Sequence, residues 1–271
     1  MPTLIANARM YAVTPAVRDA WRAIFDWVGD HAGCPLVYID HAAPAPLEDL
    51  WSRGDLAAAF MCGFPFASAA PRPLLVAAPI PSPPRYGRQP VYCTDFVVRA
   101  DSGFARLSDA FGARIGWTVA HSQSGFNAVR HHLLQYRHGK SEQLFAASIG
   151  PLVTPRRVIE AVLEGVIDVG PLDSYVHDLL RRHEPATASK LRTVESTVMA
   201  PIPPLVASPA TPPDTVGRLR RTLLAAAADP EATSILEALL LDGFARVDAA
   251  DYDQFLAQAL EAAAVGYAVP G

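Results

Sequence analysis

Residues 121–125, with the sequence H-S-Q-S-G, have the types and spacing that best suit the binding of an anion. They follow an apolar stretch and precede a helical pattern of apolar residues. Small residues at a helix start leave backbone N–H groups pointing outward, with the helix dipole behind them, and such groups bind anions. The alternative is that Ser122 or Ser124 only caps the helix.

Two further polar turns follow apolar stretches that are predicted to be strands. Cys62, Gly63 and Phe64 follow the run of small residues 55–61, and the glycine permits close approach of a ligand to the backbone. Asp173 follows the predicted strand 166–169 and is also suited to cap a helix. Ligands in open α/β sheets lie beyond the carboxyl ends of the strands, so both turns are candidate binding segments.

Motifs for catalysis are absent from the sequence. It contains no G-x-G-x-x-G after a strand, no G-x-x-x-x-G-K-[ST], and no glycine ahead of Ser122 that would make a nucleophile elbow. Cys62 as a nucleophile would need a base that the sequence does not place. His131, His132 and His138 lack the spacing of a zinc motif, so a solvated helix face is the preferred interpretation. We therefore predict no catalytic residue, no cofactor and no metal.

Composition excludes several classes of partner. The chain of 271 residues has a net charge of -4, and no run of Lys and Arg could follow a phosphate backbone. Arg218, Arg220 and Arg221 form the densest basic cluster, which is predicted to be a solvated helix face. No stretch of about 20 apolar residues could span a bilayer. We expect neither nucleic-acid binding nor membrane insertion.

Cysteine usage and the N-terminus favour a reducing compartment. Cys34, Cys62 and Cys93 are odd in number and have no metal or redox spacing, which is typical of buried free thiols. Residues 3–13 are predicted to be a strand running into a helix and have no features of a secretory signal. The sequence as given thus predicts a cytoplasmic protein, although a processed periplasmic form would begin in the same way.

Strand-like and helix-like patterns alternate along the chain, which indicates an α/β fold with mostly parallel sheets flanked by helices. Proline-rich stretches at 79–90 and 201–213 bracket a segment in which this alternation restarts. We interpret them as crossings between two lobes. Residues 1–90 and 199–271 are then predicted to form the first lobe, and residues 91–198 the second.

Several segments, in this order, resemble the substrate-binding proteins of phosphate/phosphite/phosphonate-type ABC transporters, which have the type 2 periplasmic-binding fold. The segments are 55–66 (D-L-A-A-A-F-M-C-G-F-P-F), 91–98 (V-Y-C-T-D-F-V-V), 107–109 (L-S-D), 122–125 (S-Q-S-G) and 158–173 (V-I-E-A-V-L-E-G-V-I-D-V-G-P-L-D). The resemblance implies a two-lobed clamshell that closes on a small oxyanion, and an ABC permease as a partner.

The resemblance also implies a set of ligand-binding residues. The second lobe would hold the oxyanion through residues 122–125 and supply a hydroxyl near the hinge and a carboxylate at the rim. The first lobe would contribute a tyrosine after its first strand and the turn that contains Cys62. The implied set is Tyr11, Cys62, Gly63, Phe64, Tyr92, Ser122, Gln123, Ser124, Gly125 and Asp173.

The sequence departs from this family where a Gly-His or Ser-His turn often precedes the helix that begins at Thr154-Pro155. Here the segment is Ile149-Gly150-Pro151, so one donor to the oxyanion is missing. The main alternative function is a cytoplasmic enzyme on the same fold, of the kind that acts in menaquinone or thiamine-precursor biosynthesis. A regulatory effector-binding domain is a third hypothesis, but the basic helix of a DNA-binding segment is missing.

Overall fold

A computed structural model describes residues 3–137 and 143–271 of the chain. Two compact units make up the protein: unit 1 is Met1–Val91 with Pro201–Tyr252, and unit 2 is Tyr92–Ala200 with Asp253–Gly271. The chain therefore passes between the units three times. His138 and Gly139, where the sequence predicts the end of a helix, lie outside the described residues.

Unit 1 contains a six-stranded sheet with helices, in the order β13-β4-β12-β3-β1-β2. Elements are numbered in chain order. The strands are β1 Leu4–Asn7, β2 Leu36–Tyr38, β3 Leu56–Phe60, β4 Leu74–Pro81, β12 Leu205–Ala207 and β13 Leu241–Ala245. The helices are α1 Pro15–His31, α2 Leu47–Trp51, α3 Gly63–Ser68, α8 Pro213–Ala225 and α9 Pro230–Ala238.

Helix α1 shows how local sequence determines an element of unit 1. Pro15 occupies its first turn, and Oγ1 of Thr14 accepts a hydrogen bond from the backbone N–H of Val17, which supplies the N-cap. The buried stripe of the helix includes Trp21, whose ring packs edge-on against Phe60 of β3 with centroids 4.8 Å apart. Burial of this stripe fixes the helix against the sheet.

Unit 2 contains a five-stranded sheet in the order β10-β6-β9-β7-β8. The strands are β6 Thr94–Arg99, β7 Arg114–Gly116, β8 Ala147–Ile149, β9 Val169–Asp173 and β10 Leu191–Ser196. The helices are α4 Ala128–Leu133, α5 Pro155–Leu163, α6 Ser174–His183, α7 Pro185–Ala188 and α10 Gln254–Ala264. The short strands β5 Val91–Tyr92 and β11 Ala200–Pro201 pair at two of the crossings.

Both sheets are mixed, so the prediction of mostly parallel sheets is wrong in that detail. In unit 1, β1 pairs in parallel with β2 and β3, whereas the pairs of β12 with β3 and β4, and of β13 with β4, are antiparallel. In unit 2, β6 is antiparallel to both β9 and β10. Strands β10 and β12 lie beside the segments that cross between units and run against their neighbours. Hydrophobic alternation indicates a strand but not its direction.

The last 19 residues belong to unit 2, contrary to the predicted placement of residues 199–271 in the first lobe. Helix α10 packs on α4, and the Arg130 guanidinium then holds the end of the chain. Its Nη1 donates to the carbonyls of Tyr267 (3.1 Å) and Ala268 (3.3 Å). The amphipathic pattern of α10 predicts a buried face but does not indicate which unit covers it.

Candidate functional site

The turn at 122–125 begins a helix, as predicted, but the helix is irregular. Residues Gln123–Asn127 form a π-helical turn that continues into α4. Ser122 is the N-cap, and its Oγ accepts a hydrogen bond from the N–H of Gly125 at 3.0 Å. The capping role is therefore realised in this structure. The hydroxyl proton of Ser122 remains available to donate to a ligand.

The remaining polar groups of this turn are open to a ligand. The backbone N–H groups of Gln123 and Ser124 meet no acceptor among the described residues, as is usual in a first helical turn. The Ser124 side chain is half-buried, and the carbonyl of Ser124 accepts a hydrogen bond from Oγ1 of Thr94 at 2.9 Å. This bond fixes the turn to the start of β6, so its donors are positioned before a ligand arrives.

Packing alone requires a glycine at position 125. A Cβ at this position would lie 1.9 Å from Oγ1 and 2.8 Å from Cγ2 of Thr118. Thr118 is buried, and its Oγ1 has no hydrogen-bond partner among the described residues. The glycine therefore allows the helix start to pack directly on the segment that follows β7.

The side chain of Gln123 is 1% exposed and is held within unit 2. Its Nε2 donates to Oε1 of Gln258 in α10, and its Oε1 accepts from Nδ2 of Asn127, both at 2.9 Å. Asn127 also donates to the carbonyl of Phe255. The side chain of Gln123 thus connects the turn to α10, while its backbone N–H has no acceptor among the described residues.

Asp173 lies at the same end of the sheet as Ser124. It is the last residue of β9 and pairs in register with Thr94, whose side chain holds the carbonyl of Ser124. Its Oδ1 accepts hydrogen bonds from the N–H groups of Tyr175 (2.9 Å) and Val176 (3.1 Å) at the start of α6. The carboxylate caps this helix, which is the alternative role that the sequence indicated.

Tyr92, the first residue of unit 2, lines a pocket of about 220 Å³ that lies within this unit. Gln123, another residue of the predicted set, also lines this pocket. Thr94, His131, His132 and Gln258 contribute to it, and sequence reasoning did not select them as ligand-binding residues. Ser122, Ser124, Gly125 and Asp173 do not line it.

The predicted residues of unit 1 lie beyond two neighbouring parallel strands. Tyr11 follows β1, is fully buried, and packs edge-on against Phe60 with ring centroids 4.8 Å apart. Cys62 and Gly63 are buried at the start of α3 after β3, and Phe64 is half-buried. Of these, the side chain of Phe64 has the largest surface left for a ligand.

A buried carboxylate–imidazole pair near the turn was missed by sequence reasoning. Oδ2 of Asp95 lies 2.9 Å from Nδ1 of His177, and the two side chains are 0% and 1% exposed. Oδ1 of Asp95 accepts a hydrogen bond from Oγ of Ser196 at 2.7 Å. The cluster joins β6, α6 and β10 beside Thr94. A carboxylate inside the apolar segment 91–98 was the available signal, because a buried charge needs a partner.

The structure shows why position 150 has no side chain that could donate to an oxyanion. A Cβ at this position would lie 2.4 Å from Cδ2 and Cε2 of the Trp117 indole. That indole packs edge-on against Phe126 with ring centroids 5.1 Å apart. Trp117 therefore occupies the space that a side chain at position 150 would need.

Within the described residues, no group of three or more His, Cys, Asp and Glu side chains is arranged to hold a metal ion. His131 and His132 instead pair with the carboxylates of Glu261 (2.9 Å) and Glu195 (2.6 Å).

Among the helices in the described ranges, none is long and apolar enough to cross a membrane.

Two mixed α/β units connected by crossing strands, with hydroxyl and amide donors at strand ends, define a solute-binding protein with the type 2 periplasmic-binding fold. Solved structures share this fold. A binding-protein component of an ABC phosphonate transporter from Pseudomonas aeruginosa matches with a TM-score of 0.82 and 15% identity, over 98% of this chain and 88% of that one. PhnD1 from Prochlorococcus marinus, in complex with methylphosphonate, matches with a TM-score of 0.78 and 15% identity, over 96% and 97%.

A protein from Xanthomonas citri that was solved bound to ATP is also similar, with a TM-score of 0.64 and 20% identity over 98% of each chain. A search of curated protein sequences finds no match. The family model described as "ABC transporter, phosphonate, periplasmic substrate-binding protein" matches residues 12–252. The chain belongs to this family.

Membership confirms the predicted family, the type 2 periplasmic-binding fold and the role of a substrate-binding protein of a phosphonate-type ABC transporter. Nothing in the comparisons supports the alternative of a biosynthetic enzyme. The family is periplasmic and works with a permease, so a small solute and a transporter are the partners that it implies. Of the two localisations that the sequence left open, the periplasmic one of a processed form is the one consistent with this family.

Proposed function

We propose that the protein binds a small phosphorus oxyanion, in the first instance an alkylphosphonate, in the periplasm and delivers it to an ABC permease. The turn at 122–125 is the observation that carries the proposal. Two serine hydroxyls and the N–H groups of Gln123 and Ser124 converge on one helix start, and they are neutral donors. Such donors can stabilise a bound oxyanion without the cost of burying a counter-charge.

Other predicted residues support the same ligand. Tyr92 and Asp173 lie at the end of the unit 2 sheet that carries the turn. Tyr11 and the Cys62–Phe64 segment follow parallel strands of unit 1, where this class of fold places its ligands. Phe64 would contact the alkyl group of an alkylphosphonate, because an apolar group gains from contact with a half-buried aromatic ring. The relative bound to methylphosphonate is consistent with this ligand class.

Ser124 provides the sharpest test of the proposal. Its Oγ has no partner among the described residues, so Ser124→Ala removes a donor without breaking a bond that stabilises the fold. We expect the Kd for methylphosphonate, measured by calorimetry, to rise by about tenfold with an unchanged free energy of unfolding. Ser189→Ala is the matched control, since Ser189 is exposed on unit 2 and its Oγ donates to the carbonyl of Ala186 in the same helical turn.

The competing interpretation, that this turn only caps a helix, predicts the reverse. Ser124→Ala would then leave affinity unchanged. Ser122→Ala would lower stability by about 1 kcal/mol, because its Oγ caps Gly125. Recovery of methylphosphonate in altered form after incubation with the protein would also contradict a binding role.

A further inference from the structure

The pocket in unit 2 that contains Tyr92 shares Gln123 with the turn at 122–125 (the oxyanion turn), but Ser122, Ser124 and Gly125 do not line it. Its lining residues come from the start of β6, from the outer stripe of the 123–135 helix, from residues 197–200, and from α10. At roughly 30 Å³ per water, its volume of about 220 Å³ corresponds to about seven water molecules. That size suits a small solute.

The chemistry of the lining residues points to an uncharged ligand. None of the described residues that line the pocket is Lys, Arg, Asp or Glu. Its two histidines are hydrogen-bonded to carboxylates that do not line the pocket, His131 to Glu261 and His132 to Glu195. A ligand with a formal charge would therefore lose its hydration without gaining an opposite charge.

Both donors and acceptors are available to such a ligand. Gln258 accepts from Gln123 through Oε1, and its Nε2 has no partner among the described residues. Nε2 of His131 is bonded to Glu261, which leaves Nδ1 without a described partner and able to accept when the ring is neutral. A hydroxyl group both donates and accepts, so a polyhydroxylated molecule matches this mixture, while Ala128 and Val198 provide apolar contact.

Two lining residues connect the pocket to the oxyanion turn. Gln123 lies within the turn itself, between Ser122 and Ser124. Thr94 donates from Oγ1 to the carbonyl of Ser124, and its N–H donates to Oγ1 of Thr197, which also lines the pocket. A ligand that touches these side chains can favour one position of the turn over another. If the ligand has a different affinity for the two positions of the turn, the pocket and the turn are coupled, and each ligand changes the affinity for the other.

We propose that this pocket is an effector site for a small uncharged polyol and that its occupancy changes the affinity of the turn at 122–125 for its oxyanion. The coupling rests on the proposed function, whereas the occupancy of the pocket does not.

The occupancy is tested by NMR on the ¹⁵N-labelled full chain, with erythritol and myo-inositol as uncharged probes and erythronate as the charged counterpart of erythritol. We expect the polyols, but not erythronate, to shift the side-chain amide resonances of Gln123 and Gln258. Ala128→Phe fills the pocket and should abolish the shift. Ala257→Phe is the matched control, because Ala257 is exposed on α10 and does not line the pocket.

Val198→Trp serves if Ala128→Phe does not fold, because Val198 is 73% exposed at the pocket and tolerates a larger side chain. Absence of a shift with both polyols at tens of millimolar overturns the site, as does a shift that survives both blocking variants. The coupling is tested separately: saturating polyol should change the methylphosphonate Kd about fivefold or more. An unchanged Kd refutes the coupling alone, and failure to bind methylphosphonate at all refutes the proposed function but leaves the NMR result standing.

Discussion

Gly125 and Thr118 contact each other so closely that the oxyanion turn tolerates no side chain at its glycine. Gly125→Ala should lower the free energy of unfolding by about 1–3 kcal/mol, because a methyl group 1.9 Å from Oγ1 of Thr118 forces a shift. Thr118→Ala removes Oγ1 and Cγ2 and should recover part of this loss in the double variant. Urea denaturation of the four proteins measures the coupling, and strictly additive losses would refute the contact.

Tyr136 gives a pH dependence whose sign follows from its hydrogen bonds. Its hydroxyl donates to Oε1 (2.7 Å) and Oε2 (2.8 Å) of Glu195. Burial and then this carboxylate raise the pKa of the phenol from 10.0 to about 12. A pKa raised on folding contributes stability that is fully present below the unfolded pKa and is lost as pH rises through the folded one.

The expected window is therefore pH 10 to about 12. The difference in unfolding free energy between the native chain and Tyr136→Phe should be constant at lower pH and shrink across this window. Guanidinium titrations at several pH values measure it. A difference that does not change with pH would mean that the phenol and Glu195 are not paired in solution.

Helix α10 is attached to unit 2 by side chains of the oxyanion turn and its helix. Asn127 is fully buried, and its Nδ2 donates to Oε1 of Gln123 and to the carbonyl of Phe255. Asn127→Leu removes both bonds and leaves buried acceptors unsatisfied, so we expect a loss of about 1–3 kcal/mol. Hydrogen exchange should localise the faster opening to α10 and α4, and an equal increase in unit 1 would contradict this attachment.

The same helix shows what the sequence could and could not predict. Its amphipathic pattern indicated a helix near 250–264, but the side chains that receive it, Asn127 and Gln123, are distant in sequence. The pattern of residues 230–241 predicts a helix, and no strand was predicted between it and the helix near 250–264, so β13 was missed. In the structure α9 ends at Ala238, and Leu240 adopts a positive φ of 52°.

The candidate site could also be predicted only in part from the sequence. The hydroxyl residues and the glycine of the turn are visible in sequence, because a strand, small residues and a helix follow one another. That Ser122 and Asp173 also serve as caps was a stated alternative, and both bonds are present. The Asp95–His177 pair joins two segments that are distant in sequence, and the pocket at Tyr92 is built from four segments, which local patterns do not encode.

At the scale of the whole molecule, the chain passes between its units three times, and the predicted ligand-binding residues divide between them. Tyr11 and Cys62–Phe64 belong to unit 1, whereas Tyr92, residues 122–125 and Asp173 belong to unit 2. A ligand held by only one set would protect only that unit. Each set is therefore tested in its own unit, because a ligand that contacts a set must order the backbone of that set.

Hydrogen exchange with and without saturating methylphosphonate distinguishes these cases. We expect slower exchange at the amides of residues 122–125 and also at those of residues 62–66, because binding reduces opening of the segments that contact the ligand. Slower exchange in unit 2 alone would mean that the turn suffices and that Tyr11 and Cys62–Phe64 have no direct role. The Ser124→Ala variant is the internal control: at a ligand concentration near the native Kd, its reduced occupancy should weaken the protection of residues 122–125, and unchanged protection there would contradict a role of Ser124 in binding.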